Sequence, residues 1–265
     1  MRDPNEQLTP EGYIQTGARR DRIAMVFEPV IEAAIKQIER LDRELSPSAR
    51  SLYIYGSVAT GSAVVPASDV DLLTVGFLSQ ATKRISEELS TTFKSICRAV
   101  EVAASMQQDF EGDTDEAYGG RIFVKHYCLH LWGHKLSVPS TPYPGDKRAA
   151  RALNGDIAAC YQRWRGIEQQ QSAEQLGRSV ARKSLLAVAG LISVHDHTWC
   201  TDRLTSALRW IQLHPRWQLD CNRLIAWSDG SAIASKHELD ELLAPSGLIC
   251  AIVDQFRSSI GLWQA

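Results

Sequence analysis

Asp69 and Asp71 stand one residue apart in SDVDLLTVG, set between apolar neighbours and downstream of the Gly56-Ser57 pair in YIYGSV. In a strand successive side chains alternate faces, so the two aspartates project the same way, about 7 Å apart along the chain. Carboxylates in an apolar strand are costly unless cations or donors offset their charge. Two on one face make a site for a dication. Hard oxygen ligands favour Mg²⁺, which keeps part of its water shell and shares its remaining positions with substrate phosphates. The pair therefore predicts a nucleotide close by.

The hydrophobic run at 52–55 reads as a short strand ending at Gly56-Ser57, with Val58 onward as the first turn of a short helix. Glycine permits close backbone approach, while free N–H groups at a helix start and the Ser57 hydroxyl suit phosphate oxygens. Phosphate donors and metal ligands then meet at one sheet edge.

Positioning these groups takes a scaffold, and the periodicity supplies one. Apolar residues recur at helical spacing over 21–45, among them Phe27, Val30, Ile31, Ala34 and Ile38, until Ser46-Pro47-Ser48 stops the helix. A strand over 70–75 precedes a helical pattern through Ala81, Ile85, Leu89, Phe93 and Ile96, then a strand at 99–103. An acidic loop follows at 109–116, then an alternating run at 121–132 that reads as a long strand. The proline-rich SVPSTPYPGD reads as a linker, with a boundary near Pro144. Beyond it strand signals vanish, and helices are expected over 146–170, 174–194, 201–213, 219–227 and 236–260, which together read as a bundle. Residues before Tyr13 read as a loose arm.

Composition narrows the partners. The chain has 265 residues, 44% of them hydrophobic, which is enough for a substantial core. A formal charge of −2 gives no general attraction to nucleic acid or membrane, and no dense Lys/Arg stripe with interleaved aromatics argues for tRNA. No apolar run reaches membrane-spanning length, and the polar, acidic start MRDPNEQLTPEGY resembles neither a secretory leader nor a transit peptide. The six cysteines are scattered in apolar contexts, which points to a reducing cytoplasm. Residues 145–265 carry 14 Lys+Arg against 12 Asp+Glu and residues 1–144 carry 15 against 19, a division that suits a metal in the front half and triphosphate contacts in the back.

The pattern Gly56-Ser57, Gly61 and Ser68-Asp69-Val70-Asp71-Leu72 resembles the signature of the polymerase-beta-like nucleotidyltransferases. Arg98-Ala99-Val100-Glu101-Val102 is similar to a stretch of the streptomycin/spectinomycin adenylyltransferases in which a glutamate serves as base. The resemblance implies an α/β (α+β) fold: a nucleotidyltransferase mixed sheet with flanking helices over 1–143, then an all-α helical bundle over 144–265. It implies two Mg²⁺ ions on Asp69, Asp71 and Glu101, with Glu101 as base, and nucleotide binding by Gly56, Ser57 and Ser68. The implied reaction moves a nucleoside monophosphate, AMP from ATP, to a hydroxyl of a small cationic acceptor such as an aminoglycoside. Two other functions stand beside it: transfer to tRNA or protein, and a non-catalytic nucleotide-binding module, against which the three carboxylate positions weigh.

Other groups carry two readings each. Arg178, Arg182 and Lys183 on one expected helix either meet the triphosphate or form a solvated face. The acidic loop either attracts a polycation or simply connects. Trp199 and Asp202 are either acceptor contacts or a core tryptophan and a helix-start carboxylate. His195-Asp196-His197 with Cys200 is either a metal site or polar turn chemistry. His126, Cys128, His130 and His134 share one parity on the expected strand, but an extended chain spreads them over about 26 Å, too far for one zinc ion.

Overall fold

The computed structural model describes residues 2–167 and 172–263. They form two compact units, one of Gln15–Thr141 and one of Met1–Ile14 with Pro142–Ala265. The first is built on a four-stranded sheet of order β3-β2-β1-β4, in which β1 is Ser51–Tyr55, β2 Val70–Val75, β3 Val100–Ser105 and β4 Leu129–Gly133. β1 runs antiparallel to both β2 and β4, whereas β2 and β3 are parallel. A parallel pair needs a crossover, and the helix α3 (Ser79–Thr92) provides it; α1 (Glu28–Arg43) and α2 (Gly56–Thr60) precede it in the chain.

Both faces of the sheet are covered. Leu52, Ile54, Val70, Leu72 and Val100 pack with Val30, Ile31, Ala34 and Ile38 of α1 and with Ile85 and Leu89 of α3. The alternate residues Tyr53, Leu73 and Val75 pack on the opposite side with Phe110, Val124 and Cys128. Burial on both sides is why the central strands read as continuous apolar runs. The expected helix at 21–45 begins only at Glu28, after 3-10 turns at Arg20–Arg22 and Met25–Phe27. Pro29 explains the late start, since proline fits the first turn of a helix and not its interior.

The expected long strand at 121–132 is not one. The chain there is α4 (Asp115–Tyr127), followed by the short β4. Thr114 caps the helix by accepting from the Ala117 N–H at 3.2 Å, and Asp115 and Glu116 suit its positive end. The acidic loop is correspondingly compact. Asp109 accepts from the Met106 N–H at 2.7 Å, and the Arg121 guanidinium donates to the carbonyls of Phe110 and Gly112 at 2.7 and 2.8 Å. His126 therefore sits on a helix, with Cys128 just beyond it and His130 on β4, so the parity assigned to them does not exist.

In the second unit α7 (Ala173–Asp196) is the central helix, buried over most of its circumference. It packs against α5 (Lys147–Asn154), α6 (Ile157–Ile167), α8 (Arg203–Leu213), α9 (Gln218–Asp229), α10 (Lys236–Leu243) and α11 (Leu248–Ser259). The expected helix at 146–170 is two helices parted at Gly155-Asp156, and its residues 168–170 lie outside the described residues. The expected helix at 236–260 also divides, at the Ala244–Gly247 corner, where Pro245 has no N–H to continue the ladder.

The N-terminal arm is not loose. Leu8 bridges to Ile14 and Tyr13 to Pro144, the Trp199 N–H donates to the Pro4 carbonyl at 3.1 Å, and Gln7 is buried against Thr201. No described helix is long and apolar enough to cross a membrane, and all six cysteines are free thiols.

Candidate active site

The sheet end at which β1 stops and β2 and β3 begin gathers the acidic residues. Asp71 is the ladder partner of Tyr55 on one side and of Glu101 on the other. Paired residues of neighbouring strands share a face, so Asp71 and Glu101 project together, and Asp69 joins them one pleat upstream. Each offers one carboxylate oxygen, and these three oxygens lie within 4.8 Å of one another. Among the described residues this is the one group of three acidic, histidine or cysteine side chains so disposed.

The local chain is shaped to allow this. The parallel ladder extends beyond the strands through Val70 N–H to the Ala99 carbonyl at 2.9 Å and Arg98 N–H to the Ser68 carbonyl at 3.0 Å. The Ser68 hydroxyl accepts from the Val64 N–H at 2.9 Å, and its own N–H returns to the Val64 carbonyl at 2.8 Å, closing the loop that delivers Asp69. Gly56 opens α2 with φ of +73°, and a Cβ there would collide with the Asp71 carboxylate. Only glycine lets the strand-to-helix bend lie against that acid. The five-residue α2 has no side-chain cap at its start, so the Gly56-Ser57 backbone stands beside Asp71.

Arg98 is the group that sequence reasoning missed. Its Nε donates to Asp69 Oδ1 at 2.9 Å and its Nη2 to Asp69 Oδ2, a two-pronged pair that holds a carboxylate only 3% exposed. A buried carboxylate needs such a partner. Nearby, burial and then the Asp69 charge push the Cys97 thiol up. Three carboxylates gathered this closely favour a divalent cation between them. The all-oxygen donor set fits Mg²⁺. Glu101 is exposed and borders an open cleft of about 420 Å³ whose walls include Tyr55, Ser79, Lys83 and Ser86.

Gly56, Ser57, Ser68, Asp69, Asp71 and Glu101 thus converge in the unit of Gln15–Thr141. Arg178, Arg182 and Lys183 stand on α7 in the other unit. Arg178 pairs with Glu174 at 3.4 Å. Lys183 pairs with Asp156 at 2.6 Å, bracing the corner between α5 and α6. Asp202 accepts from the Thr205 N–H at 2.9 Å to start α8, and Trp199 is buried. Asp196 is held by Arg209 at 2.8 Å, and that hydrogen bond draws its carboxyl below the usual range.

No protein-family model matches the chain, and no curated protein sequence matches it. Among solved structures it is similar to spectinomycin adenyltransferase AAD(9) from Enterococcus faecialis, determined with ATP and spectinomycin. The TM-score is 0.51 and the identity 12%, over 85% of this chain and 99% of that one. With the mixed sheet and the helical region that follows it, the likeness shows that the chain shares the fold of that adenyltransferase.

Proposed function

We propose that the protein is a divalent-metal-dependent nucleotidyltransferase that transfers AMP from ATP to a hydroxyl of a small cationic acceptor of the aminoglycoside type. The observation that carries this is the convergence of one carboxylate oxygen each from Asp69, Asp71 and Glu101 within 4.8 Å of one another, beside a glycine bend that touches Asp71. Similarity to a structure determined with ATP and spectinomycin supports the donor and the acceptor class.

In this reading Asp69 and Asp71, with Glu101, hold Mg²⁺. When bound, the ions supply charge neutralisation at the α-phosphate and at the leaving pyrophosphate. The Gly56-Ser57 backbone, the Ser57 hydroxyl and Ser68 orient the phosphates. Glu101 takes the proton of the acceptor hydroxyl as its oxygen bonds to the α-phosphorus and the bond to the β-phosphate oxygen breaks. Its exposure beside the cleft suits a group that must meet an incoming acceptor. Most of the rate enhancement would come from positioning and electrostatics. The unit of Gln15–Thr141 would be the catalytic domain. In the helical unit Arg178, Arg182 and Lys183 are the candidate triphosphate ligands. ATP as donor and unpaired cysteines suit a cytoplasmic setting.

The test is to incubate purified protein with Mg²⁺ and each labelled nucleoside triphosphate, together with aminoglycosides, total tRNA or protein extract. Label on an aminoglycoside supports the proposal. Label on tRNA or protein moves the acceptor to a macromolecule, and nucleotide binding without transfer to any of them removes the enzymatic reading.

A further inference from the structure

We infer that Arg98 is a resident counter-cation of the acidic cluster, which competes with a divalent ion for Asp69. This rests on the reading of Asp69, Asp71 and Glu101 as the metal site. Both Asp69 oxygens are engaged by the guanidinium, and the pair is lopsided in exposure, with the carboxylate 3% and the arginine 29% accessible. The acid is fixed in the protein while the cation lies toward solvent. The Arg98 backbone is pinned by its N–H bond to the Ser68 carbonyl, so its side chain can swing away without disturbing the ladder that sets Asp71 beside Glu101.

A guanidinium is always charged, and a carboxylate presents about four lone-pair sites in all. A dication arriving at the remaining sites on the same two oxygens meets a like charge within a few ångströms and is repelled by it. Without the arginine the three acids would repel one another more strongly, and the buried Asp69 would lose its two-pronged guanidinium partner. Arg98 thus stabilises the metal-free protein and weakens its grip on free metal. It is a positioning residue, acting on the site through Asp69.

Mn²⁺ serves as the probe, its binding read by loss of the free-ion paramagnetic resonance signal in wild type, Arg98→Gln, Arg98→Lys and Asp71→Asn. Thermal melts are run with and without the ion. Arg98→Gln is expected to bind Mn²⁺ at least ~10-fold tighter than wild type, about 1.4 kcal/mol. It should also melt lower without metal and gain more from its addition. Arg98→Lys, which keeps a charge but not the fork, should fall between the two and covers the case in which the glutamine variant does not fold. Equal or weaker Mn²⁺ binding by whichever variant folds overturns the inference while leaving the metal site standing. If no variant takes up Mn²⁺ in a manner that Asp71→Asn abolishes, the metal-site reading fails and this inference with it.

Discussion

Replacing Gly56 by alanine tests whether the bend and the acid cluster form one object. Two costs can be worked out from the geometry. At φ of +73° an L-residue is in the left-handed region, which costs about 1–2 kcal/mol. The new methyl would also overlap the Asp71 carboxylate, and driving that side chain off its rotamer costs a further ~0.5–1.5 kcal/mol. The sum, about 1.5–3.5 kcal/mol, should appear as lost stability in urea denaturation. The second cost falls on the cluster itself: displacing a metal ligand by even 1 Å is expected to lower turnover by about 100-fold. Gly61→Ala is the matched control. It has φ of +74° and so carries the same backbone cost, but its methyl would crowd Arg22 at 3.0 Å and touch no acid. Gly56→Ala should therefore lose both stability and Mn²⁺ affinity, and Gly61→Ala stability alone. If the two variants bound Mn²⁺ equally well, Asp71 would not be held by the bend and the reasoning would be wrong.

Asp71→Asn should lower label transfer at least ~100-fold while leaving the melting temperature within a few degrees of wild type; near-normal transfer would remove Asp71 from the site. His126 is pushed down to about 4 by burial and then by the Lys125 charge. The unfolded chain binds that proton near pH 6.5 and the folded one does not, so stability should fall as pH drops from 6.5 toward 4, by up to about 1.4 kcal/mol per pH unit. Denaturation curves of wild type and His126→Gln across that window check this, and parallel pH profiles would refute it. Lys125 donates to the carbonyls of Pro139, Ser140 and Thr141 at 3.0, 2.9 and 2.9 Å. Lys125→Met should cost about 1.5–3 kcal/mol and expose that segment to limited proteolysis, and unchanged cleavage would show that the lysine is not its anchor.

The meeting of Asp69 and Asp71 was legible because strand period is local: two residues apart in an apolar run means one face. Glu101 came only through resemblance, since its place beside Asp71 depends on a parallel register no nearby residue announces. Arg98 was hidden for the same reason. Its partner lies across the β2–β3 ladder, and only once Asp71 is set against Glu101 does Arg98 fall beside Ser68 and Asp69. α4 was misread because Ile122, Val124 and His126 are all buried and alternate with less buried residues. A helix covered on more than one side loses its single apolar stripe and imitates strand periodicity. Pro245 was a readable stop, overridden by the apolar spacing on either side of it.

The side-by-side register of β2 and β3 also governs how this chain can vary in length. A residue added or lost in the turn at Gly76 that leads into α3 can be absorbed there. One that slid β3 past β2 by a single step would send Glu101 to the face packed by α1 and α3 while every acid remained in the sequence. The turn at its other end is tighter, with the N–H groups of Ile96 and Cys97 both bonded to the Phe93 carbonyl at 2.8 and 3.0 Å. That turn is the gauge that sets where β3 starts counting. Among related chains, insertions should cluster away from it, and a change there could silence the site with its full complement of carboxylates intact.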